Sequence, residues 1–425
     1  MDCEILTVGT ELLLGQTIDT NAADLGRSLA SVGVRVTRRT SVGDDVGAIR
    51  SAVRGALDRT GAVVVSGGLG PTRDDVTRAA VSEVLGRRLV RDPALLAQIE
   101  DAFRRRSPAR MPDSNRQQAD APEGAIVLPN RLGSAPGLWI EDGERRLVVL
   151  LPGVPVELRD LLESEVLPRL RQRAEGAATQ GEGRAEVIRS RIIRTTGAAE
   201  SVLEDSLGDP AKLVSPSVTV AWLPSCDGTD IRLTAWGLPA DEAEAALEAA
   251  ARAIEPLLGA HVYGEGDADL AAVVLDLLAE RGARLATAES CTGGLLGQRV
   301  TAVPGSSRVY AGGVVAYDND AKLHLLGVSA EALAVHGAVS EVVARVMAEG
   351  AARALGADAA LAVTGIAGPG GAVPGKPVGT VWIGVTWRGR TRAFTHLLSG
   401  GRDVVRRRAA QRALDYLRRV VVELI

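Results

Sequence analysis

Apolar and polar positions along this chain repeat with two periods, and the elements follow from which period holds where. Glu4–Gly9 is an apolar run of strand length, Asn21–Val32 carries apolar residues at helical spacing, Val34–Thr37 is strand-like, Val46–Leu57 is helical and Ala62–Ser66 is a buried strand. This strand–helix alternation predicts a parallel sheet covered on both faces. Leu150–Pro155 reads as a strand end and turn before a helix over Glu157–Leu162. From Arg171 to about Gly183 the chain is Gln, Arg, Glu, Gly and Ala, the composition of a linker or frayed helix. A smaller α+β pattern comes next: strand Ala185–Arg194, a helix entered through Thr196–Ser201, strands Val218–Leu223 and Asp230–Trp236, and an Ala/Glu-rich helix Asp241–Leu257. His261–Asp267 reads as a short connector. The last segment again mixes strands and helices. Helix Ala268–Glu280, an apolar run Arg284–Thr287, helical Gly293–Val300, strand Val309–Tyr317 and helical Ser329–Leu355 broken at Gly337 come first. An apolar strand from Leu361, a hairpin Val378–Trp387/Thr391–Leu398 around Arg388-Gly389-Arg390 and a final helix Asp403–Val422, basic on one side, complete it.

The predicted fold class is therefore α/β: two three-layer domains with parallel-rich sheets, residues 1–171 and 259–425, joined by a small α+β domain, 172–258. The length, 425 residues, agrees with two to three domains. With 46% hydrophobic and 24% charged residues the chain can bury real cores. A net charge of −4 and 3% aromatic residues give no general nucleic-acid affinity and no base-stacking surface, and the local cluster Arg104–Arg106 reads as a solvated helix face. Cys3, Cys226 and Cys291 are far apart and odd in number, so neither a disulfide framework nor a zinc spacing is visible and a reducing cytosol is expected. Without a signal-peptide pattern or an apolar run of about 18 residues, neither export nor a membrane span is expected.

Three stretches carry chemistry in the last domain. In Ala286–Gly294 a strand breaks into a Ser-bearing turn ahead of a helix, which sets Ser290 beside backbone N–H groups suited to a developing oxyanion. The alternative is a plain helix cap. Cys291 adjoins Ser290 as a rival nucleophile, or is simply a small buried residue. Of 49 basic residues only Lys212, Lys322 and Lys376 are lysines. A lysine retained where arginine serves elsewhere suggests a group that must lose its proton, which arginine cannot do. Lys322 would then lower the pKa of Tyr317, whose phenolate could take the Ser290 proton. The alternative sets Tyr317 as packing and Lys322 as a solvated helix residue. Leu361–Gly371 runs from strand into a glycine-rich loop, with Thr364 at the strand's carboxyl end, where open α/β sheets bind ligands. The loop is either a ligand cradle or a turn.

In the first domain Gly67-Gly68-Leu69-Gly70-Pro71-Thr72-Arg73-Asp74-Asp75 leads from a strand into a helix, the arrangement of an anion site. Asp74 and Asp75 repel a bare phosphate but could hold a divalent cation bridging to it. The alternative is that one of them caps the helix. No Walker lysine is present, which argues against an ordinary P-loop NTPase.

In the last domain AESCTGG, VPGSS, GGVVAYDN, GAVS, TGIAGPGG and KPVGT occur in one order and together resemble the carboxyl-terminal domain of the CinA (competence/damage-inducible) family. The resemblance implies a nicotinamide-nucleotide amidohydrolase that converts nicotinamide mononucleotide to nicotinate mononucleotide and ammonia without a cofactor. It assigns Ser290, Tyr317, Lys322 and Thr364 to catalysis, and Gly293, Gly365, Ala367, Gly368, Arg402 and Arg406 to substrate binding. Where the family has Gly-Asp-Arg, this chain has Gly400-Gly401-Arg402, so the Asp that could orient Arg402 is missing. GTELLLGQ, VGDD, GGLGPTRDD, GSAPG and LPGVPVEL similarly resemble the family's amino-terminal, molybdopterin-binding-like domain. In some members that domain hydrolyses ADP-ribose with a divalent metal and potassium. The cleft at Gly67, Gly68, Gly70, Asp74 and Asp75 could be reached by Glu11, at the end of the first strand, and completed by the polar loop piece that holds Gln118, with the metal on Asp74, Asp75 or both. The middle unit resembles a KH-like domain but lacks a basic-flanked Gly-x-x-Gly loop, so a spacer or dimerisation role is expected. Expected partners are small nucleotides and a second copy in a homodimer, with no membrane and no direct nucleic acid. The competing reading makes the first domain a non-catalytic pterin or nucleotide module, with a role in competence or DNA damage through protein contacts.

Overall fold

The computed structural model describes residues 1–106, 111–143, 146–178 and 186–425. The end of the expected linker and the first residue of the strand expected at Ala185 lie outside the described residues, as do the side chains of Arg105 and Arg106. The chain forms two compact units, Met1–Arg189 with Ala235–Ala245, and Ser190–Thr234 with Ala246–Ile425.

In the first unit the strands are β1 (Asp2–Val8), β2 (Arg35–Val42), β3 (Ala62–Ser66), β4 (Leu89–Arg91), β5 (Asp120–Pro122), β6 (Ile126–Leu128), β7 (Gly137–Glu141) and β8 (Leu147–Leu151). Six of them make one sheet in the order β2-β1-β3-β8-β7-β6, while β4 and β5 pair apart. The β1/β2, β1/β3 and β3/β8 ladders are parallel, and β7 and β6 extend the sheet antiparallel. The central strands β3 and β8, Ala-Val-Val-Val-Ser and Leu-Val-Val-Leu-Leu, are buried throughout. Continuous apolar runs are what a parallel strand covered on both faces requires. One face packs on Leu25, Leu29, Leu158 and Leu161, the other on Ile49, Val53, Leu57 and Val81. The helix Thr20–Ser31 starts on Asp19, and Val46–Thr60 starts on Asp45, each carboxylate accepting a first-turn N–H.

Strands β9 (Glu186–Thr195), β10 (Val218–Pro224), β11 (Thr229–Pro239) and β12 (Val262–Glu265) form a sheet in the order β10-β11-β9-β12. The stretch expected to be a connector at His261–Asp267 thus contributes β12, which runs antiparallel to β9. Four residues with only Tyr263 buried are too short to show a strand period in sequence.

The second unit holds β13 (Leu285–Glu289), β14 (Tyr310–Val315), β15 (Ala359–Gly365), β16 (Thr380–Trp387) and β17 (Arg390–Leu397), ordered β14-β13-β15-β16-β17. The β13/β14 and β13/β15 pairs are parallel; β15/β16 and β16/β17 are antiparallel. The hairpin turns at Arg388 and Gly389, φ 48° and 77°, the left-handed pair that matches strand twist. Leu285, Leu361 and Val363 face the helices Leu270–Glu280, Leu295–Thr301 and Arg402–Val421. Ala286, Ala288, Ala360 and Ala362 face Asn319–Leu326 and Glu341–Leu355. Two glycines let the helix Glu341–Leu355 come close to its neighbours: a Cβ on Gly350 would stand 2.0 Å from the Leu326 carbonyl, and one on Gly384 would stand 2.2 Å from that of Ala344. The chain is therefore mixed α/β with parallel-rich sheets. Among the described residues no helix is long and apolar enough to cross a membrane.

Candidate active site

The carboxyl ends of β13, β14 and β15 bring the expected residues of the second unit together. Ser290 follows directly on β13 and its N–H donates to the Val363 carbonyl at 2.9 Å, which sets it beside Thr364 on β15. The Ala316 N–H donates to the Glu289 carbonyl at 2.8 Å and sets Tyr317 on the other side. Tyr317 lies past the end of β14 and is 60% exposed, so it is not a packed strand residue. Lys322 is not solvated either. It is 1% exposed, and its ammonium donates to the carbonyls of Tyr317 (3.1 Å) and Asp318 (3.4 Å). It has no carboxylate within ion-pair distance among the described residues. Burial pushes its pKa below the ordinary lysine value, and the Asp318 charge opposes that only in part.

The phenol differs from expectation in the cation it meets. The Tyr317 hydroxyl accepts from Arg402 at 2.9 Å, while Lys322 bonds the Tyr317 backbone. Neither group hydrogen-bonds the Ser290 side chain among the described residues. Arg402 also donates to the Gly368 carbonyl at 2.7 Å, so it is held without the family's Asp. The space at Gly401 is open: an added Cβ would meet nothing within 4 Å. Arg406 donates to the Thr292 carbonyl at 2.8 Å and lies 3.4 Å from Asp403. Thr364 donates its hydroxyl to the Ala338 carbonyl at 2.8 Å, and Ala367 is buried at the start of the glycine loop. Gly293 and Gly294 turn the chain with φ of 58° and 95°, which favours glycine. Gly365 is required by space, since its Cβ would stand 2.9 Å from the Thr380 carbonyl.

The helix after Ser290 corrects a second expectation. Its first N–H groups are not free, because Glu289, 2% exposed, accepts from Gly294 and Leu296 at 3.0 Å each and from Gly297 at 2.7 Å. Among the described residues the N–H groups of Thr292 in the turn and of Ala367 and Gly368 in the loop make no backbone hydrogen bond, and the Cys291 N–H has only its own thiol as acceptor. Burial pushes the Cys291 thiol up to about 12, so it stays protonated and is a poor nucleophile at neutral pH. Sequence reading missed Glu289. A strand-ending acid beside a serine carries no periodic signal.

In the first unit the glycine loop is built as the sequence suggests. Gly67 and Gly68 have φ of 105° and 66°; their Cβ atoms would stand 2.2 Å from the Val8 carbonyl and 2.1 Å from Thr77 Oγ1. Asp75 does not cap the helix Thr77–Leu85. Its oxygens accept from the N–H groups of Gly70 (2.7 Å) and Thr72 (2.8 Å) and from the Thr72 hydroxyl, closing the loop on itself. Asp74 is exposed, and a hydrogen bond with Thr72 holds its carboxyl below the ordinary value. Arg78, which sequence reading did not single out, is buried and donates to the carbonyls of Leu69 (2.7 Å) and Gly70 (3.1 Å). Gln118 is buried 3.4 Å from Asn115, and Gln117 donates to the Thr72 carbonyl at 3.0 Å. The exposed Glu11 folds back on Gly9, whose Cβ would stand 2.4 Å from it. Among the described residues no three His, Cys, Asp or Glu side chains are grouped to hold a metal. Asp74 is the exposed carboxylate of the two and keeps lone pairs for a cation beside its bond with Thr72, and Asp75 already has protein donors on both oxygens.

Comparison with known proteins matches three consecutive segments of the chain. Residues 267–421 match the model described as the CinA C-terminal domain, 4–172 that described as "Probable molybdopterin binding domain", and 190–264 the damage-inducible protein CinA KH domain. A CinA-like protein of Gemmatimonas aurantiaca is 53% identical over 99% of this chain and 96% of its own length. One from Salinibacter ruber is 42% identical over 99% and 100%. Among solved structures, CinA of Thermoplasma acidophilum is 36% identical over 40% of this chain and 97% of its own, with a TM-score of 0.38. The competence damage-inducible protein A of Klebsiella pneumoniae is 41% identical over 36% and 94%, with a TM-score of 0.35. On identity that runs nearly end to end, with all three component domains matched in order, the chain belongs to the family of CinA-like proteins.

Proposed function

We propose that the second unit hydrolyses the carboxamide of nicotinamide mononucleotide. The observation that carries this reading is the buried Lys322, without a carboxylate within ion-pair distance among the described residues and with its pKa lowered, in the helix that follows Tyr317. A neutral amine there is a general base that needs no histidine. Ser290 Oγ bonds to the carboxamide carbon as its proton passes to Lys322. The oxyanion lies toward the N–H groups of Cys291 and Thr292. As the C–N bond breaks, Lys322 returns the proton to the nitrogen and ammonia leaves. Water then adds to the Ser290 ester, giving its proton to Lys322, and nicotinate mononucleotide departs as Ser290 regains a proton. Arg402 and Arg406 each use two donors on the protein and keep others for the phosphate. Ammonia release from nicotinamide mononucleotide by the purified protein tests this, with Ser290→Ala beside it; unchanged release by the variant removes Ser290 as nucleophile.

For the first unit we propose a site for a pyrophosphate-bearing nucleotide such as ADP-ribose. The glycine loop approaches phosphates closely, and Asp74 would share a divalent cation with the ligand's own phosphates, the usual way magnesium is held. Such a cation, with potassium, would supply charge neutralisation for cleavage of the pyrophosphate bond. A second reading, a binding module without chemistry, is favoured by the donors that already occupy Asp75. Metal-dependent ADP-ribose cleavage that disappears in Asp74→Ala selects the first; tight binding without cleavage selects the second.

A further inference from the structure

Glu289 stands one residue before the proposed nucleophile, and nothing in the deamidation chemistry above uses it. It ends β13 on the face of Thr287, since strand side chains alternate. Its carboxylate is buried beneath the Ser290 turn and takes three N–H groups, those of Gly294, Leu296 and Gly297. A helix start ordinarily points these donors at a ligand. Here an internal acid occupies them. The surroundings are shaped around it. The Thr287 hydroxyl and the Tyr310 phenol share a bond of 2.6 Å on the same side. Gly297 leaves room for the group: its Cβ would stand 2.9 Å from Tyr310 Oη and 3.4 Å from Glu289 Oε1. Gly313 does the same, with a Cβ that would stand 2.2 Å from Thr287 Oγ1.

We infer that Glu289 is a positioning residue for Ser290: by binding the first N–H groups of the helix Leu295–Thr301, it fixes the turn and leaves the Cys291 and Thr292 N–H groups as the donors that face the reacting oxygen. The inference rests on the reading of Ser290 as nucleophile. Three bonds to one carboxylate define the path of the chain from Glu289 to Gly297, and Ser290, Cys291 and Thr292 lie within that closed loop. A glutamine at 289 presents one acceptor oxygen and an NH2 that meets backbone N–H groups donor to donor. The loop then loses at least one tie, and the first helical N–H groups become rival sites for the oxyanion. Misplacement of a reacting group by about 1 Å costs roughly 100-fold in rate.

The test measures the reactivity of Ser290 apart from the natural substrate. The full chain is treated with diisopropyl fluorophosphate, whose diisopropylphosphoryl group passes to the oxygen of an activated serine as fluoride and the serine proton leave, and the labelled residue is located by mass spectrometry. Ammonia release from nicotinamide mononucleotide is followed in parallel. The expected result is one label on Ser290 in the parent. In Glu289→Gln the labelling rate constant and kcat both fall roughly 100-fold, with KM within about threefold and the final yield still one label per chain. Full yield at a reduced rate separates mispositioning from a fraction of unfolded protein. Glu289→Asp, which keeps the acceptor but is one methylene shorter, is expected to fall between the two, and it serves as the test should the glutamine variant not fold. Parental labelling rates in the folded variants overturn the inference whatever the substrate is. No label on Ser290 in the parent overturns both the inference and the nucleophile. Labelling that depends on Glu289 in a protein that releases no ammonia upholds the inference and rejects the substrate.

Discussion

Lys322 is the residue whose surroundings say most. Burial, opposed only in part by the Asp318 charge, lowers its pKa, so between that value and the ordinary lysine value of about 10.4 the unfolded chain binds more protons than the folded one. Stability therefore rises with pH across that window, and below it the protonated, buried amine costs stability. Lys322→Met is expected to melt no lower than the parent at pH 7, and higher if the methionine packs well, while ammonia release falls to background; a lower melting temperature contradicts the account. Lys322→Arg is expected to be equally inactive although it keeps the charge, because a guanidinium does not give up its proton. The same reasoning gives activity that increases with pH and reaches half its limit below the ordinary lysine pKa, read from kcat against pH. At Gly401 the open space allows aspartate. Gly401→Asp is expected to leave the melting temperature within about 1 °C, since exposed substitutions stay within ±0.5 kcal/mol, and KM for the mononucleotide reports whether the added carboxylate orients Arg402 or opposes the phosphate.

At the scale of elements, two contacts set where the site groups lie. The helix Glu341–Leu355 approaches Asn319–Leu326, which carries Lys322, through Gly350 and the Leu326 carbonyl. Gly350→Ala forces the two apart. The expected cost is about 1–3 kcal/mol, seen as a lower melting temperature, together with a fall in kcat larger than the change in KM. The second contact ties β17 to the helix Arg402–Val421. Phe394 stacks on Tyr416 at 3.9 Å, and the His396 ring nitrogen and the Tyr416 hydroxyl are 2.6 Å apart. Burial, helped by Arg412, lowers the His396 pKa to about 4. Folded His396 thus resists a proton that the unfolded chain accepts near 6.5, so its contribution to stability is present above 6.5 and is lost as pH falls toward 4. His396→Gln is expected to flatten the drop in melting temperature between pH 6.5 and 4; an unaltered drop would assign the acid sensitivity elsewhere.

Taken whole, the molecule shows which of its features are legible in sequence. The central strands β3 and β15 were readable because they are unbroken apolar runs, whereas β4, β5 and β6, three residues each, are too short to show a period. The glycine loops were readable because left-handed φ and close backbone approach leave few other residues possible. What could not be read is contact between distant positions. The Tyr317 hydroxyl meets Arg402 across 85 residues, while its neighbour Lys322 bonds only the Tyr317 backbone, and no local pattern encodes that choice. Glu289 and Arg78 escaped notice for the same reason: a buried charge looks like any other charge until its partners are known. β12 was hidden by its brevity. At this scale the two proposed activities separate by metal. Chelation with EDTA is expected to abolish ADP-ribose cleavage and leave ammonia release intact, and loss of both would tie the deamidase to a cation that its residues do not call for.

The most direct test of the account is ammonia release from nicotinamide mononucleotide by the full chain, measured with Ser290→Ala and Lys322→Ala. The account predicts steady release by the parent and a loss of at least roughly 1,000-fold in each variant, as expected when a nucleophile or its base is removed. Release that survives in either folded variant, or a folded parent that leaves the carboxamide intact, contradicts it.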